Sequence, residues 1–169
     1  YYSVGGGFVV TEAELFNGSA VGDLGDYPNK FETAKALLEI CHIKGKSIAE
    51  IKRENELSRR TTAELDEGLL NIWDTMNSCM NRGLETSGIL PGGLNVKRRA
   101  KGIYDSLMSE RGINISAPHT INDWMSVYAM AVNEENAAGG QVVTAPTNGA
   151  AGVVPATIRY WLEHVPGSS

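Results

Sequence analysis

From Thr61 to Leu84 the apolar residues Leu65, Leu69, Ile72, Met76, Cys79 or Met80 and Leu84 recur three or four positions apart without interruption. That is the period of a helix with one buried face, and an alternating strand cannot produce it. Thr61 and Glu64 stand at the head of the run. Theirs is capping-box spacing, where a hydroxyl and a carboxylate satisfy the first unpaired amides of a helix. The pattern predicts one helix roughly 37 Å long. A chain organised around such a rod has to cover its apolar stripe, and the rest of the sequence offers further helices to do so.

Phe31, Ala34, Leu38 and Cys41 draw one apolar face on a helix that Gly45 ends, which places Cys41 in the core. Ser47 and Glu50 form a second capping box, opening a short helix to about Glu56. A helix is predicted over Lys97 to Met108, with a basic first turn that opposes the helix dipole. Thr120 with Asp123 opens another, in which Trp124, Val127, Tyr128, Ala131 and Val132 fall at i, i+3, i+4, i+7 and i+8. The last, near Ala150 to His164, places Val154, Ile158, Trp161, Leu162 and Val165 on one side and Pro155 in its first turn or two.

At the other end Tyr1, Val4, Phe8, Val9 and Val10 suit a strand that Gly5-Gly6-Gly7 would make bulge. Val21 to Asn29 has the turn chemistry of a linker. The expected architecture is mainly α, an irregular multi-helix domain of about six helices with a short N-terminal β-strand belonging to a preceding β-rich domain. Residues 1–27 would be strand and linker, and residues 28–169 the helical part.

Composition narrows the function. The 20 acidic against 15 basic residues give a net charge of -5, so there is no basic field to collect nucleic acid or anionic lipid. The longest uncharged apolar run, Val142 to Val154, falls short of the roughly 20 residues that span a bilayer. No membrane partner is expected. Tyr1 to Val10 lacks the charged leader of a signal peptide. A start inside an apparent strand and a loop-like close at Val165 to Ser169 are expected to be the ends of a fragment. Cys41 and Cys79 are too far apart for a metal knuckle and too few for a disulfide framework, which points to a reducing cytoplasm.

For chemistry, the stretch Gln141 to Gly152 crowds small and polar residues directly before an apolar helix. Unpaired amides and the positive end of a helix dipole suit a carboxylate or phosphate there, and Thr144, Thr147, Asn148 and Gly149 are the candidate ligand-holding residues. A turn with a Thr or Asn cap accounts for the same residues. Just upstream, Glu134 and Glu135 read as a solvated rim, because neighbours on a helix diverge by about 100°. Lys97, Arg98 and Arg99 follow a glycine-rich loop and can either meet an anionic substrate or simply decorate the surface. His42, His119 and His164 lack zinc-ligand spacing, and Ser106, Ser116 and Ser126 lack a nucleophile-elbow setting.

Four segments, Tyr1-Tyr2-Ser3-Val4-Gly5-Gly6-Gly7-Phe8, Leu90-Pro91-Gly92-Gly93-Leu94, Asn133-Glu134-Glu135-Asn136-Ala137-Ala138-Gly139-Gly140 and Val143-Thr144-Ala145-Pro146-Thr147-Asn148-Gly149-Ala150, occur in this order. Together they resemble the bacterial iron-sulfur L-serine dehydratases, over essentially the whole chain. The resemblance implies a β-rich domain followed by a helical catalytic α-domain carrying a [4Fe-4S] cluster. It implies conversion of L-serine to pyruvate and ammonia by elimination of water, with an iron acting as Lewis acid on the hydroxyl, and without pyridoxal phosphate.

In that family the cluster cysteines follow the Thr-Ala-Pro-Thr-Asn-Gly segment. Cys41 and Cys79 match none of them, so no metal ligand is assigned in this chain. Thr144, Thr147, Asn148 and Gly149 become the candidates for holding serine, with Lys97 and Arg99 second. The base that removes the α-proton is unassigned. The expected partners are L-serine, the remaining domains of the same enzyme and a second copy in a homodimer. The competing expectation is a catalytically silent helical packing or amino-acid-binding module, since the cluster ligands are missing here.

Overall fold

A computed structural model of the chain describes residues 1–5, 8–17, 27–110 and 120–167. Among these residues two short strands, β1 (Tyr2–Gly5) and β2 (Phe8–Val10), precede seven helices: α1 (Glu12–Phe16), α2 (Ala34–Lys44), α3 (Ile48–Leu57), α4 (Thr62–Glu85), α5 (Ala100–Glu110), α6 (Thr120–Ala137) and α7 (Asn148–His164). The chain is mainly helical, as expected. The single strand expected at the start is instead two strands that pair with each other on either side of the glycines. The extra helix, α1, carries a capping box of its own between Thr11 and Glu14. Most of the expected linker at Val21 to Asn29 lies outside the described residues.

The chain divides into two compact units, Tyr1–Tyr2 with Val10–Asn71 and Ser3–Val9 with Ile72–Ser169. In the first unit, local capping sets the helix starts. Ser47 and Glu50 exchange bonds across the start of α3, the Ser47 amide donating to Glu50 at 2.8 Å and the Glu50 amide to Ser47 at 3.2 Å. Thr61 and Glu64 do the same ahead of α4. Within this unit Ile51 of α3 and Leu65 near the start of α4 are buried. A buried amide pair ties the chain ahead of α2 to α3: the Asn29 backbone amide donates to Asn55 Oδ1 at 2.9 Å, and Asn55 Nδ2 donates to the Asn29 carbonyl at 2.8 Å. Lys44 and Lys46 both reach Glu54. Those contacts hold Glu54 far down in pKa, at about 2, through Lys46 first and then Asn29 and Lys44.

The apolar face expected on α2 is not a core face here. The helix buries none of its residues, Leu38 is 57% exposed and Cys41 is only half-buried. The long stripe on α4 is likewise covered only toward its ends. Leu65 is buried in the first unit and Cys79, Met80 and Leu84 in the second, while Leu69 and Ile72 are 53% and 46% exposed. A periodic stripe says which face a helix would bury; it does not say that a neighbour spans its whole length.

The second unit is built on α6. Trp124, Val127, Tyr128, Ala131 and Val132 are all buried, the face that the spacing predicts. Met80, Leu84, Ala100, Leu107 and Ala156 pack around them. Two glycines allow the close approach. A Cβ at Gly83 would stand 2.4 Å from the Ala131 carbonyl oxygen, and one at Gly152 would stand 3.1 Å from the Ala129 carbonyl oxygen.

Packing reverses the expected orientation of α7. Gly152, Pro155, Ala156 and Arg159 are its buried residues. The apolar set Val154, Ile158, Trp161, Leu162 and Val165 is exposed instead. Small residues win the face against α6 because they let two backbones approach, which large aliphatic side chains prevent. With α7 starting at Asn148, Pro155 is its eighth residue and stands deeper than expected. It has no N–H for the Ala151 carbonyl, a break in the ladder at the packed face.

Candidate substrate site

The last turns of α6 are where the solvated-rim reading fails. Glu134 and Glu135 are each only 6% exposed, and each carboxylate has a different set of donors. Glu134 accepts the backbone amides of Arg99 at 2.7 Å and Ala100 at 3.3 Å, so it caps α5. That is why α5 begins at Ala100 and not at Lys97: a carboxylate supplied by another helix meets the positive dipole end that the basic segment would have opposed. Glu135 accepts Arg98 Nη1 at 2.8 Å on one oxygen and Arg82 Nε at 3.2 Å on the other. Arg98 and Glu135 side chains are both 7% exposed, which makes this a buried, charge-assisted pair. Arg82 also donates to the Gln141 carbonyl at 3.1 Å.

Ahead of α5 the chain folds into a small hairpin. Ile89 and Lys97 form an antiparallel bridge, the Leu90 amide donates to the Val96 carbonyl at 2.7 Å, and the Arg98 amide donates to the Gly88 carbonyl at 2.8 Å. The turn needs left-handed backbone at Gly92 (φ 112°) and even at Asn95 (φ 52°). Beside it lies a cleft of about 440 Å³. Lys97 and Arg99 line it together with Ser126, Met130, Asn133 and Glu134 of α6, over an apolar wall that includes Leu90 and Val96. That volume is in the range of small-molecule sites.

The polar stretch after α6 becomes the start of α7. Thr147 is its N-cap, accepting the Ala150 amide at 3.1 Å, and Asn148 and Gly149 are the first residues of the helix. The cap reading of Thr147 therefore holds. Thr144, Thr147, Asn148 and Gly149 are all exposed. Asn136 Nδ2 donates to Asn148 Oδ1 at 3.4 Å, linking α6 to this helix start. None of these four residues lines the cleft beside Lys97 and Arg99. Asn133 stands between the two sets: it lines the cleft, and its side chain would be 3.5 Å from a Cβ at Gly152.

A further polar network, absent from the sequence reading, runs along the other side of α6. Tyr128 Oη donates to Glu163 Oε2 at 2.8 Å, Arg159 Nε donates to Glu163 Oε1 at 2.7 Å, and Arg159 Nη1 donates to Asn81 Oδ1 at 2.7 Å. His164 stacks on Tyr160 with ring centroids 4.9 Å apart and lies 4.8 Å from Trp124. Burial first, and then the Glu163 carboxylate, push the Tyr128 phenol up. Burial raises Glu163, yet the bonds from Tyr128 and Arg159 outweigh it and leave that carboxyl below its usual range.

Among the described residues no three His, Cys, Asp or Glu side chains come together as a metal ion requires. Cys79 is buried and its thiol is pushed up by that burial, and Cys41 sits half-buried on α2. These residues do not fit the iron-sulfur cluster that the resemblance implies.

Fold and site define a class first: a mainly helical protein that gathers its polar loops at the end of one central helix, beside a cleft of small-molecule size. The chain belongs to the serine dehydratase alpha chain family, whose model matches residues 43–168. It is 48% identical over 168 residues to the L-serine dehydratase of Streptomyces coelicolor, covering 99% of this chain and 36% of that protein. It is 45% identical to L-serine dehydratase 1 of Escherichia coli, over 95% of this chain and 35% of the relative. The L-serine dehydratase of Mycobacterium bovis is also 45% identical, over 97% of this chain and 35% of its own length. The chain thus spans about a third of the length of the curated relatives it matches.

Proposed function

We propose that this chain is part of an L-serine dehydratase, an L-serine ammonia-lyase that converts L-serine to pyruvate and ammonia by eliminating water, and that its second unit helps to hold the substrate. The observation that carries the reading is convergence. The hairpin at 88–98 comes from more than thirty positions upstream and the Thr144 to Gly149 segment from just downstream, yet both contact the Asn133 to Gly140 segment that ends α6. In this reading Thr144, Thr147, Asn148 and Gly149 offer hydroxyls, an amide and free backbone N–H groups at a positive helix end to serine's carboxylate or ammonium. Lys97 and Arg99 supply positive charge from the neighbouring cleft. The silent-module alternative is not favoured, because the relatives that match nearly the whole chain are named as dehydratases.

The [4Fe-4S] cluster belongs to this proposal as a group seated by parts of the enzyme outside these 169 residues. No pyridoxal phosphate takes part. The proposed partners are the enzyme's remaining domains and a second copy of the enzyme. The proposed location is the cytoplasm. Among the described residues no helix is long and apolar enough to cross a membrane.

The test is Asn148→Ala in the full-length enzyme. Losing a hydrogen bond to a charged group costs about 1.5–3 kcal/mol, so kcat/KM for L-serine should fall by roughly ten- to a hundredfold. Turnover and KM that stay at wild-type values would count decisively against a substrate role for this helix start.

A further inference from the structure

Glu134 and Glu135 are neighbours on α6, and both grip one short stretch of chain from different directions. Glu134 holds the amides of Arg99 and Ala100, and Glu135 holds the Arg98 guanidinium. Upstream, the Ile89 to Lys97 bridge and the bond from the Arg98 amide to the Gly88 carbonyl fix the same stretch from the hairpin side. Arg98 is drawn inward to Glu135, while the residues on either side of it, Lys97 and Arg99, line the cleft.

The charges sort themselves in the same way. The Glu135 charge is answered by Arg98 and Arg82. Both backbone donors at the start of α5 occupy Glu134. The side chains of Lys97 and Arg99 make no hydrogen bond or ion pair among the described residues. The cleft therefore holds two uncommitted cations against one carboxylate, which two backbone amides also hold, and the surplus positive charge favours a small anion.

We propose that Glu135, acting through Arg98, is a positioning residue that aims Lys97 and Arg99 at the carboxylate of the substrate. The inference rests on the dehydratase reading above. It adds that the affinity for the amino acid's carboxylate is set by a buried ion pair that never touches it.

The test uses the full-length enzyme and three variants, Glu135→Gln, Arg99→Ala and the double variant. Glu135→Gln keeps the shape and loses the charge that anchors Arg98. It should raise KM for L-serine about tenfold, with kcat within about twofold of wild type, as should Arg99→Ala. The double variant should stay near tenfold, because a mis-aimed arginine and an absent one are equivalent; independent effects would multiply to about a hundredfold. An unchanged KM in Glu135→Gln, a loss of folded protein with normal KM in what remains, or multiplied effects would each overturn the proposal. If Glu135→Gln does not fold, Arg98→Lys decides: the charge stays but the planar fork is lost, so KM should still rise, and a wild-type KM refutes the idea. If the wild-type enzyme does not turn over L-serine, the dehydratase reading falls. Calorimetric titration with acetate then judges this inference separately, and binding no weaker in Arg99→Ala than in wild type overturns it.

Discussion

Replacing Gly83 by alanine should destabilise this protein, although alanine is the better helix former by about 1 kcal/mol. The new Cβ would stand 2.4 Å from the Ala131 carbonyl oxygen and 2.7 Å from its carbon, where ordinary contact begins at 3.4 Å. The obstacle is backbone in the middle of α6, so no side chain can swing aside. The helices must part by about 1 Å, and a gap of that size forfeits a quarter to a half of each affected dispersion contact. Around this crossing lie Cys79, Met80, Leu84, Val127, Tyr128 and Ala131, all buried. Overpacking in such a place costs about 1–3 kcal/mol and occasionally more. We expect a loss near the upper end of that range, which the gain in helix propensity offsets only partly.

Urea denaturation followed by tryptophan fluorescence is the assay, since Trp73 and Trp124 both belong to the surrounding core. With a slope of about 1–3 kcal/mol/M, the midpoint should fall by roughly 1 M. Gly68→Ala on α4 and Gly102→Ala on α5 are the controls, because a Cβ at either meets nothing within 4 Å. They should raise stability by roughly 0.5–1 kcal/mol. Gly83→Ala proving as stable as these controls would refute the close helix crossing.

Asn55→Ala should cost about 2–4 kcal/mol, because it strands the buried amide and carbonyl of Asn29 together; fast hydrogen exchange at the Asn29 amide would report it, and an unchanged exchange rate would contradict the pairing. Tyr128→Phe should cost about 1 kcal/mol at neutral pH through the lost bond to Glu163. Its pH signature is more specific. The folded-state pKa of Tyr128 is raised, so its contribution is fully present below the unfolded value of about 10 and is lost as pH rises beyond it. The variant should therefore lose part of the alkaline fall in stability, and an identical slope above pH 10 would exclude the effect. Glu163 has the opposite sign: its pKa is lowered, so its contribution is present above about 4.5 and is lost as pH falls through the folded-state value. Glu163→Gln should flatten the acid limb, and an acid limb as steep as wild type would argue against it.

What the sequence determined alone is the local part of the structure. The boxes at Ser47 with Glu50 and Thr61 with Glu64, the Thr147 cap and the apolar period of α6 involve atoms at most a few residues apart, so the residues that make the bond also announce it. The helix start at Asn148, with Thr147 and Gly149 beside it, was legible for that reason. Burial of the two acids was partly written there as well. Extending the α6 spacing of Val127, Tyr128, Ala131 and Val132 by one more turn lands on Glu134 and Glu135. Their charge argued for solvent, and their partners Arg82, Arg98 and the start of α5 lie 34 to 53 positions away in sequence, where no local pattern reaches.

Only the tertiary structure decided which apolar faces have neighbours. It sets Gly83 and Gly152 against α6, turns the large side chains of α7 outward, leaves α2 without a buried residue, and sends Lys97 and Arg99 to the cleft while Arg98 goes to Glu135. Periodicity fixes how residues share the sides of one helix, because that is backbone geometry. Which side is covered depends on the shape and charge of a second element, and that is settled only when the two meet.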